Sequence, residues 1–140
     1  MSITNSEKRP RVLIVDDEPD LLDILNFVFT ENGCDVETAP NAKVAMELVR
    51  KNHYTAVVTD IVMPEMNGKQ LLSEIEKMQG YKPYVIMMSG YSLYTPDALE
   101  KAGACGYISK PFTREQIDEV VTGFIQHIAL LSPDDRNLAS

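Results

Sequence analysis

Residues 56–68 read AVVTDIVMPEMNG, a pattern that predicts one unit of the fold. Its first four residues are almost continuously apolar, which is typical of a strand covered on both faces of a sheet. Asp60 follows directly, and Pro64 stiffens the loop that leaves the strand. Asn67-Gly68 then permits a tight turn into a helix. The stretch therefore predicts a buried parallel strand, a rigid loop and a helix in succession.

The same alternation continues on both sides of this stretch. Short runs rich in β-branched or large apolar residues predict four further strands: Val12 to Val15, Val36 to Thr38, Tyr84 to Met88 and Gly106 to Ser109. Apolar residues at intervals of three and four predict five helices, built on Leu21 to Phe29, Val44 to Val49, Leu71 to Met78, Thr95 to Gly103 and Ile117 to Ile128. The last helix opens with the capping-box pattern Thr113-x-x-Gln116 and is predicted to end before Ser132-Pro133.

Five strands that alternate with five helices predict an α/β fold with a doubly wound parallel sheet and helices on both of its faces. Ligands of such sheets bind in the crevice beyond the carboxyl ends of the strands. We therefore expect the functional residues to follow strands rather than precede them.

Length, charge and hydropathy exclude several classes of protein. A chain of 140 residues suits one domain, and 13 Lys plus Arg against 21 Asp plus Glu leave a net charge of −8. That charge disfavours binding to nucleic acid or anionic lipid through a broad basic face. No apolar run approaches the roughly 20 residues of a membrane span, and the amino-terminal MSITNSEKRP resembles no secretion signal, so we expect a cytoplasmic protein.

The two cysteines, Cys34 and Cys105, lie far apart and lack C-x-x-C spacing. A zinc or redox site is therefore not expected, and we predict that both side chains are reduced and partly buried.

Acidic residues follow two of the predicted strands. Asp16 and Asp17 come directly after the first strand, and Asp60 ends the third. In one crevice their unbalanced negative charge is costly without a cation, and oxygen ligands favour Mg²⁺ or Mn²⁺ over zinc. The alternative is that Asp17 and its neighbours only cap the following helix and complement its dipole.

The other strand ends add a hydroxyl and an ammonium group. Ser89-Gly90 ends the fourth strand, and Lys110-Pro111, a candidate cis peptide bond, ends the fifth. Taken singly, Ser89 could be a turn former and Lys110 a surface side chain. Together with the acids and a cation they outline a phosphoryl site.

Four motifs in this order resemble the receiver domain of two-component response regulators: VDDEP (15–19), TDIVMPEMNG (59–68), MMSGY (87–91) and GACGYISKPF (103–112). The resemblance covers residues 11–131; residues 1–10 are predicted to be a flexible arm, and residues 132–140 a tail or the start of a linker. It implies a flavodoxin-like fold with strand order 2-1-3-4-5 and five flanking helices.

The resemblance also implies a role for each site residue. Asp60 accepts a phosphoryl group from a histidine kinase or a histidine phosphotransfer protein, and Ser89 and Lys110 contact the phosphoryl oxygens. Tyr107 is the switch aromatic that alters the face formed by helix 4, strand 5 and helix 5, although a half-buried tyrosine without a switching role is the alternative. The implied Mg²⁺ ligands, with Mn²⁺ as a substitute, are Asp16, Asp17, Asp60 and the backbone carbonyl of Val62. Such a domain signals and is not an enzyme, although it assists its own phosphotransfer and autodephosphorylation.

Two positions depart from polar residues common in that family. Val62 and Tyr91 are unsuited to orient an attacking water, which predicts a fairly long-lived phosphoryl state. Receivers that dimerise in one known mode carry an acidic residue where this chain has Gly106. The sequence therefore leaves open whether phosphorylation produces a dimer. The sequence also leaves open whether a covalent output domain or a separate partner receives the signal.

Three other classes of protein remain as alternatives. A receiver-like scaffold that is never phosphorylated would keep the same fold. An aspartyl-phosphate phosphatase of the haloacid dehalogenase type needs a second acid where Val62 stands. A flavodoxin-like electron carrier needs a phosphate-binding first loop, which DDEPD would repel.

Overall fold

The structure is a computed structural model that describes residues 9–63, 65–90 and 95–125. Five strands alternate with five α-helices along the chain, and a π-helical turn follows the last helix. In chain order the elements are β1 (Arg11–Val15), α1 (Pro19–Glu31), β2 (Asp35–Ala39), α2 (Ala42–Lys51), β3 (Ala56–Asp60), α3 (Gly68–Glu76), β4 (Tyr84–Ser89), α4 (Pro96–Lys101), β5 (Gly106–Ser109), α5 (Arg114–Val120) and the π-helical turn (Val121–Ile125).

The strands form one parallel sheet in the order β2-β1-β3-β4-β5, which confirms the predicted fold class and strand order. Val15 pairs with Thr59, Asp60 with Met88, and Ser89 with Ser109. This register brings the carboxyl ends of β1, β3, β4 and β5 to one edge of the sheet.

The sheet separates two apolar cores. Because successive strand residues point to opposite faces, Leu13 and Val15 pack in one core and Val12 and Ile14 in the other. The first core also receives α2, α3 and Leu99 of α4, whereas the second receives α1 and α5. All five residues of β3 are buried, as the continuous apolar run predicts.

Local capping fixes where several helices begin. The Asn67 side chain accepts a hydrogen bond from the backbone N–H of Gln70, and the Gln70 side chain accepts one from that of Asn67. The predicted capping box of Thr113 and Gln116 has the same reciprocal geometry. These bonds satisfy backbone donors that the first helical turn leaves unpaired.

The end of the last helix differs from the prediction. The apolar spacing predicts one continuous helix to Ile128, but its last described turn is π-helical, and residues beyond Ile125 lie outside the described part. The Thr122 hydroxyl donates to the carbonyl of Asp118 at 2.8 Å, and Gly123 has a low helix propensity. Both features weaken the regular α-helical hydrogen-bond pattern at this turn.

Two further details differ from the sequence-based expectations. Arg9 and Pro10, assigned to the arm, contact β2: Arg9 Nε lies 3.1 Å from Asp35 Oδ1, and the Pro10 carbonyl accepts a 2.9 Å hydrogen bond from the Asp35 N–H. Cys34 is buried, but Cys105, in the segment between α4 and β5, is exposed rather than partly buried.

Candidate functional site

Three acidic side chains meet at the carboxyl edge of the sheet. Asp16 follows β1, Asp17 precedes α1, and Asp60 is the last residue of β3. Each offers one carboxylate oxygen, and these oxygens lie within 4.8 Å of one another. Asp16 and Asp60 are buried, whereas Asp17 is exposed. The structure therefore brings together the three acids that the sequence places after two different strands.

Lys110 joins the two buried carboxylates from the end of β5. Its Nζ donates to Asp16 Oδ2 at 2.9 Å and to Asp60 Oδ2 at 3.3 Å. The Lys110 side chain is only 17% exposed, and the Lys110-Pro111 bond is cis. An ammonium group thus lies inside the acid cluster rather than on the surface.

The charges of this cluster shift two of its pKa values. Burial raises the pKa of Asp60; Lys110 opposes the shift, and Asp16 adds to it. Burial alone would lower the pKa of Lys110, but its contacts with Asp16 and Asp60 raise it overall. The ammonium therefore stays protonated, and the Asp60 carboxylate carries a charge that the protein solvates poorly.

Backbone groups orient both buried carboxylates. Asp16 Oδ1 accepts a hydrogen bond from the Glu18 N–H at 2.9 Å, and Asp60 Oδ1 accepts a long one from the Val62 N–H at 3.4 Å. Beside Asp60 the chain approaches itself closely, since a Cβ added to Gly68 would lie 2.2 Å from the Asp60 carbonyl oxygen. Only glycine fits there without a shift of the backbone that carries Asp60.

Ser89 lines the same crevice, and Tyr107 contacts Ser89 from β5. Ser89 is buried at the end of β4, and its side of the crevice also includes Gly90. The crevice has a volume of about 340 Å³. The half-buried Tyr107 donates its phenolic O–H to the Ser89 carbonyl at 3.2 Å, so a direct bond links the predicted switch aromatic to the predicted hydroxyl residue.

Val62 stands at the rim of the crevice with 61% of its surface exposed. Tyr91, the other variable position, lies outside the described residues. Gly106 begins β5 and is half-buried.

Sequence reasoning missed two contributions to this site. Glu18 reads as a helix cap, yet its side chain makes no capping hydrogen bond, and its Oε1 lies 3.9 Å from Lys110 Nζ. Gly68 reads as a turn residue, but its backbone also passes close to the Asp60 carbonyl at the other end of the same loop. The adjacency of Glu18 to the acid pair was the available signal, whereas the Gly68 contact leaves none in a single sequence.

The donor set fits a hard divalent cation. The clustered ligand atoms are all carboxylate oxygens, which suit Mg²⁺ or Mn²⁺ better than zinc. Two of the three carboxylates are buried beside one ammonium, so the crevice is rich in negative charge. Asp16, Asp17 and Asp60 are the residues that could hold such an ion.

Comparison with known proteins identifies the family. The response regulator receiver domain family matches residues 12–122, and the chain belongs to this family. It is 28% identical to the transcriptional regulatory protein GlrR of Escherichia coli and 31% identical to the regulatory protein AtoC of the same organism. These matches cover 89% and 83% of this chain but only 28% and 25% of the two relatives. The chain thus spans about a quarter of the length of these regulators.

A shorter relative and two solved structures match over nearly their whole length. An uncharacterised 14.6 kDa protein of Leptolyngbya boryana is 31% identical, over 89% of this chain and 93% of that protein. The Francisella response regulator 1452 receiver domain superposes with a TM-score of 0.76 at 29% identity, over 85% of this chain and 98% of that chain. A CheY-like receiver domain protein of Methanospirillum hungatei gives 0.77 at 30% identity, over 86% and 96%.

The family assignment settles the general class of protein. A receiver domain is a signalling domain of two-component systems and not a classical enzyme, and phosphorylation and Mg²⁺ binding are general features of the family. Within the described ranges, every helix is too short or too polar to cross a membrane.

Proposed function

We propose that this chain accepts a phosphoryl group on Asp60 from the phosphohistidine of a histidine kinase or a histidine phosphotransfer protein. The observation that carries the proposal is the bridge that Lys110 makes between Asp16 and Asp60 at 2.9 and 3.3 Å. A buried carboxylate beside a fixed ammonium group is suited to receive a transferred phosphoryl group, because catalysis of this transfer is mostly positioning and electrostatics.

In the proposed transfer, an Asp60 carboxylate oxygen attacks the phosphorus atom. The new O–P bond forms as the P–N bond to the donor imidazole breaks, and that electron pair returns to the imidazole nitrogen. Lys110 pairs with phosphoryl oxygens as their charge spreads in a loose transition state, and the Ser89 hydroxyl donates to another. The products are an aspartyl phosphate and a free histidine.

Asp16, Asp17, Asp60 and the backbone carbonyl of Val62 are the proposed ligands of Mg²⁺, which would supply positive charge beside the phosphoryl oxygens. Asp16 is held for this role by the Glu18 N–H. The exposed Asp17 can adjust to the ion without a change in the sheet.

The phosphoryl group would act as a switch through Ser89 and Tyr107. Phosphorylation adds charge and strong acceptors, which attract the Ser89 hydroxyl toward Asp60. The Tyr107 hydroxyl donates a hydrogen bond to the backbone carbonyl of Ser89. A shift of Ser89 therefore changes the position available to the phenol ring. We propose that the altered face of α4, β5 and α5 controls a partner or an output domain, in line with the regulatory names of GlrR and AtoC.

Mass spectrometry with a small phosphodonor tests the proposal. With Mg²⁺ present, we expect the wild-type chain to gain one phosphate, about 80 Da, and Asp60→Asn or a chelator to abolish the gain. Asp20→Asn is the matched control, because Asp20 is an exposed acid in the first turn of α1 and should leave labelling unchanged. Equal labelling of wild type and Asp60→Asn would overturn the assignment, and no labelling of either would favour a receiver-like scaffold.

A further inference from the structure

The Lys110 ammonium contacts both buried carboxylates of the acid cluster that could hold a divalent cation. Its Nζ contacts Asp16 Oδ2 and Asp60 Oδ2, and both carboxylates belong to the acid cluster. Two positive charges that share the same buried carboxylates repel each other, since little water screens them. When a cation is bound, the ammonium must weaken or give up these contacts.

The other oxygens of the two carboxylates are already engaged. Asp16 Oδ1 accepts the Glu18 N–H at 2.9 Å, and Asp60 Oδ1 faces the Val62 N–H at 3.4 Å. A cation would therefore compete with the ammonium for the same two carboxylates, most directly at the Oδ2 atoms that Lys110 contacts.

Lys110 has one other ion-pair partner in the described part of the chain. Glu18 Oε1 lies 3.9 Å from Nζ, and the Glu18 side chain is 67% exposed. Glu18 lies outside the acid cluster and makes no side-chain capping bond to α1. Its carboxylate can therefore move with the ammonium toward the rim, whereas Asp16 is buried and held by the backbone.

We propose that Glu18 is a positioning residue that receives the Lys110 ammonium when a divalent cation takes Asp16 and Asp60. The inference rests on the proposed function, because it concerns the same metal site. Glu18 makes metal binding more favourable, since the displaced ammonium keeps a carboxylate partner. It also keeps Lys110 beside the crevice, within reach of a phosphoryl group.

A thermodynamic cycle of Mg²⁺ affinities, without phosphodonor, tests this role. Isothermal titration calorimetry with MgCl₂ would compare the full chain with Glu18→Gln, Lys110→Met and the double variant. Asp20→Asn is the matched control, because it removes one exposed negative charge from the start of α1. We expect Glu18→Gln to weaken Mg²⁺ binding about threefold more than Asp20→Asn, the size of one exposed ion pair, and Lys110→Met to tighten it.

The double variant separates positioning from plain electrostatics. If Glu18 acts through Lys110, then Glu18→Gln in the Lys110→Met background weakens Mg²⁺ binding no more than Asp20→Asn does in that background. An undiminished effect there, or equal effects of Glu18→Gln and Asp20→Asn in the wild type, would overturn the role of Glu18. Lys110→Gln is a second background if Lys110→Met does not fold, because its amide can still donate to Asp16.

The same titrations distinguish this inference from the proposed function. Saturable Mg²⁺ binding with no specific Glu18 effect removes the positioning role alone and leaves the metal site intact. An absence of saturable binding by the wild-type chain removes the metal site and the inference with it.

Discussion

Cys34 is fully buried beneath α1, and burial raises the pKa of its thiol from 9.0 to about 12. The folded state therefore holds the thiol proton more tightly than the unfolded chain does. Stability from this group is present below pH 9 and is lost as the pH rises toward the folded-state pKa, because the unfolded chain ionises first.

The expected result is a pH-dependent cost of Cys34→Ala. Relative to wild type, this variant should lose less free energy of unfolding at pH 10 than at pH 7, by about 1.4 kcal/mol. Urea unfolding under reducing conditions measures the difference. Val28→Ala, in the same core but without a titrating group, should cost the same at both pH values; a constant cost for Cys34→Ala would contradict the assignment.

Val62 stands at the rim of the crevice beside Asp60, where we expect it to limit the attack of water on the proposed phosphoryl group. Its exposed aliphatic side chain offers water no hydrogen-bond partner. We expect Val62→Asn to speed phosphate release about tenfold, equivalent to about 1.4 kcal/mol of barrier, because an amide can orient the attacking water. Phosphate release from pre-phosphorylated protein in Mg²⁺ provides the measurement. A wild-type half-life of only seconds would show that Val62 gives no protection.

At the scale of elements, the start of α3 depends on the absence of a side chain at Gly68. A Cβ there would lie 2.2 Å from the Asp60 carbonyl oxygen, so the loop after β3 would have to move. We expect Gly68→Ala to lower the free energy of unfolding by about 2 kcal/mol, as overpacking does, and to weaken Mg²⁺ binding because Asp60 shifts.

Gly123→Ala is the matched control for this prediction. A Cβ at Gly123 has no neighbour within 4 Å, so the same change should be neutral or stabilising by up to about 1 kcal/mol. Urea unfolding of both variants decides the point. Equal stability of Gly68→Ala and wild type would mean that the loop relaxes without cost.

The elements also show how far a single sequence leads. Strand order entered through the resemblance, but the buried strands and the helix caps follow from periodicity and from pairs such as Thr113 and Gln116, because these signals are local. The π-helical turn at Val121–Ile125 and the exposure of Cys105 were not predictable, since apolar spacing is blind to hydrogen-bond register and to local exposure. The structure brings together the charged side chains that the sequence places after strands, whereas the contact of Glu18 with Lys110 was missed because it joins residues far apart in the sequence.

At the scale of the whole molecule, the acid crevice is a source of instability without a cation. Burial and Asp16 together outweigh Lys110 and raise the pKa of Asp60, so its charged form disfavours folding at neutral pH. We expect Asp60→Asn to raise the free energy of unfolding of the metal-free protein by about 1 kcal/mol, as is common when a functional site is neutralised.

Mg²⁺ should narrow or reverse the difference in free energy of unfolding between Asp60→Asn and the wild type. At a concentration ten times its Kd, a bound cation stabilises the wild type by about 1.4 kcal/mol, and Asp60→Asn should gain less. Thermal unfolding without MgCl₂ measures the effect of the substitution on stability, and thermal unfolding with MgCl₂ measures the stabilisation by the metal. Asp20→Asn is the control that should change neither quantity. A less stable Asp60→Asn in the absence of metal would contradict the charge argument.

Strand β3 lies at the centre of the sheet between β1 and β4, and all five of its residues are buried, with only Asp60 at its end facing the crevice. We expect its amide protons to exchange with deuterium only when the molecule unfolds as a whole, so their exchange rates should report global stability. Asp60 thus lies at the end of the strand that we expect to resist local unfolding most strongly. Structural changes that follow its phosphorylation must therefore occur in the neighbouring loops and side chains. The amides of β3 should exchange as slowly after phosphorylation as before it.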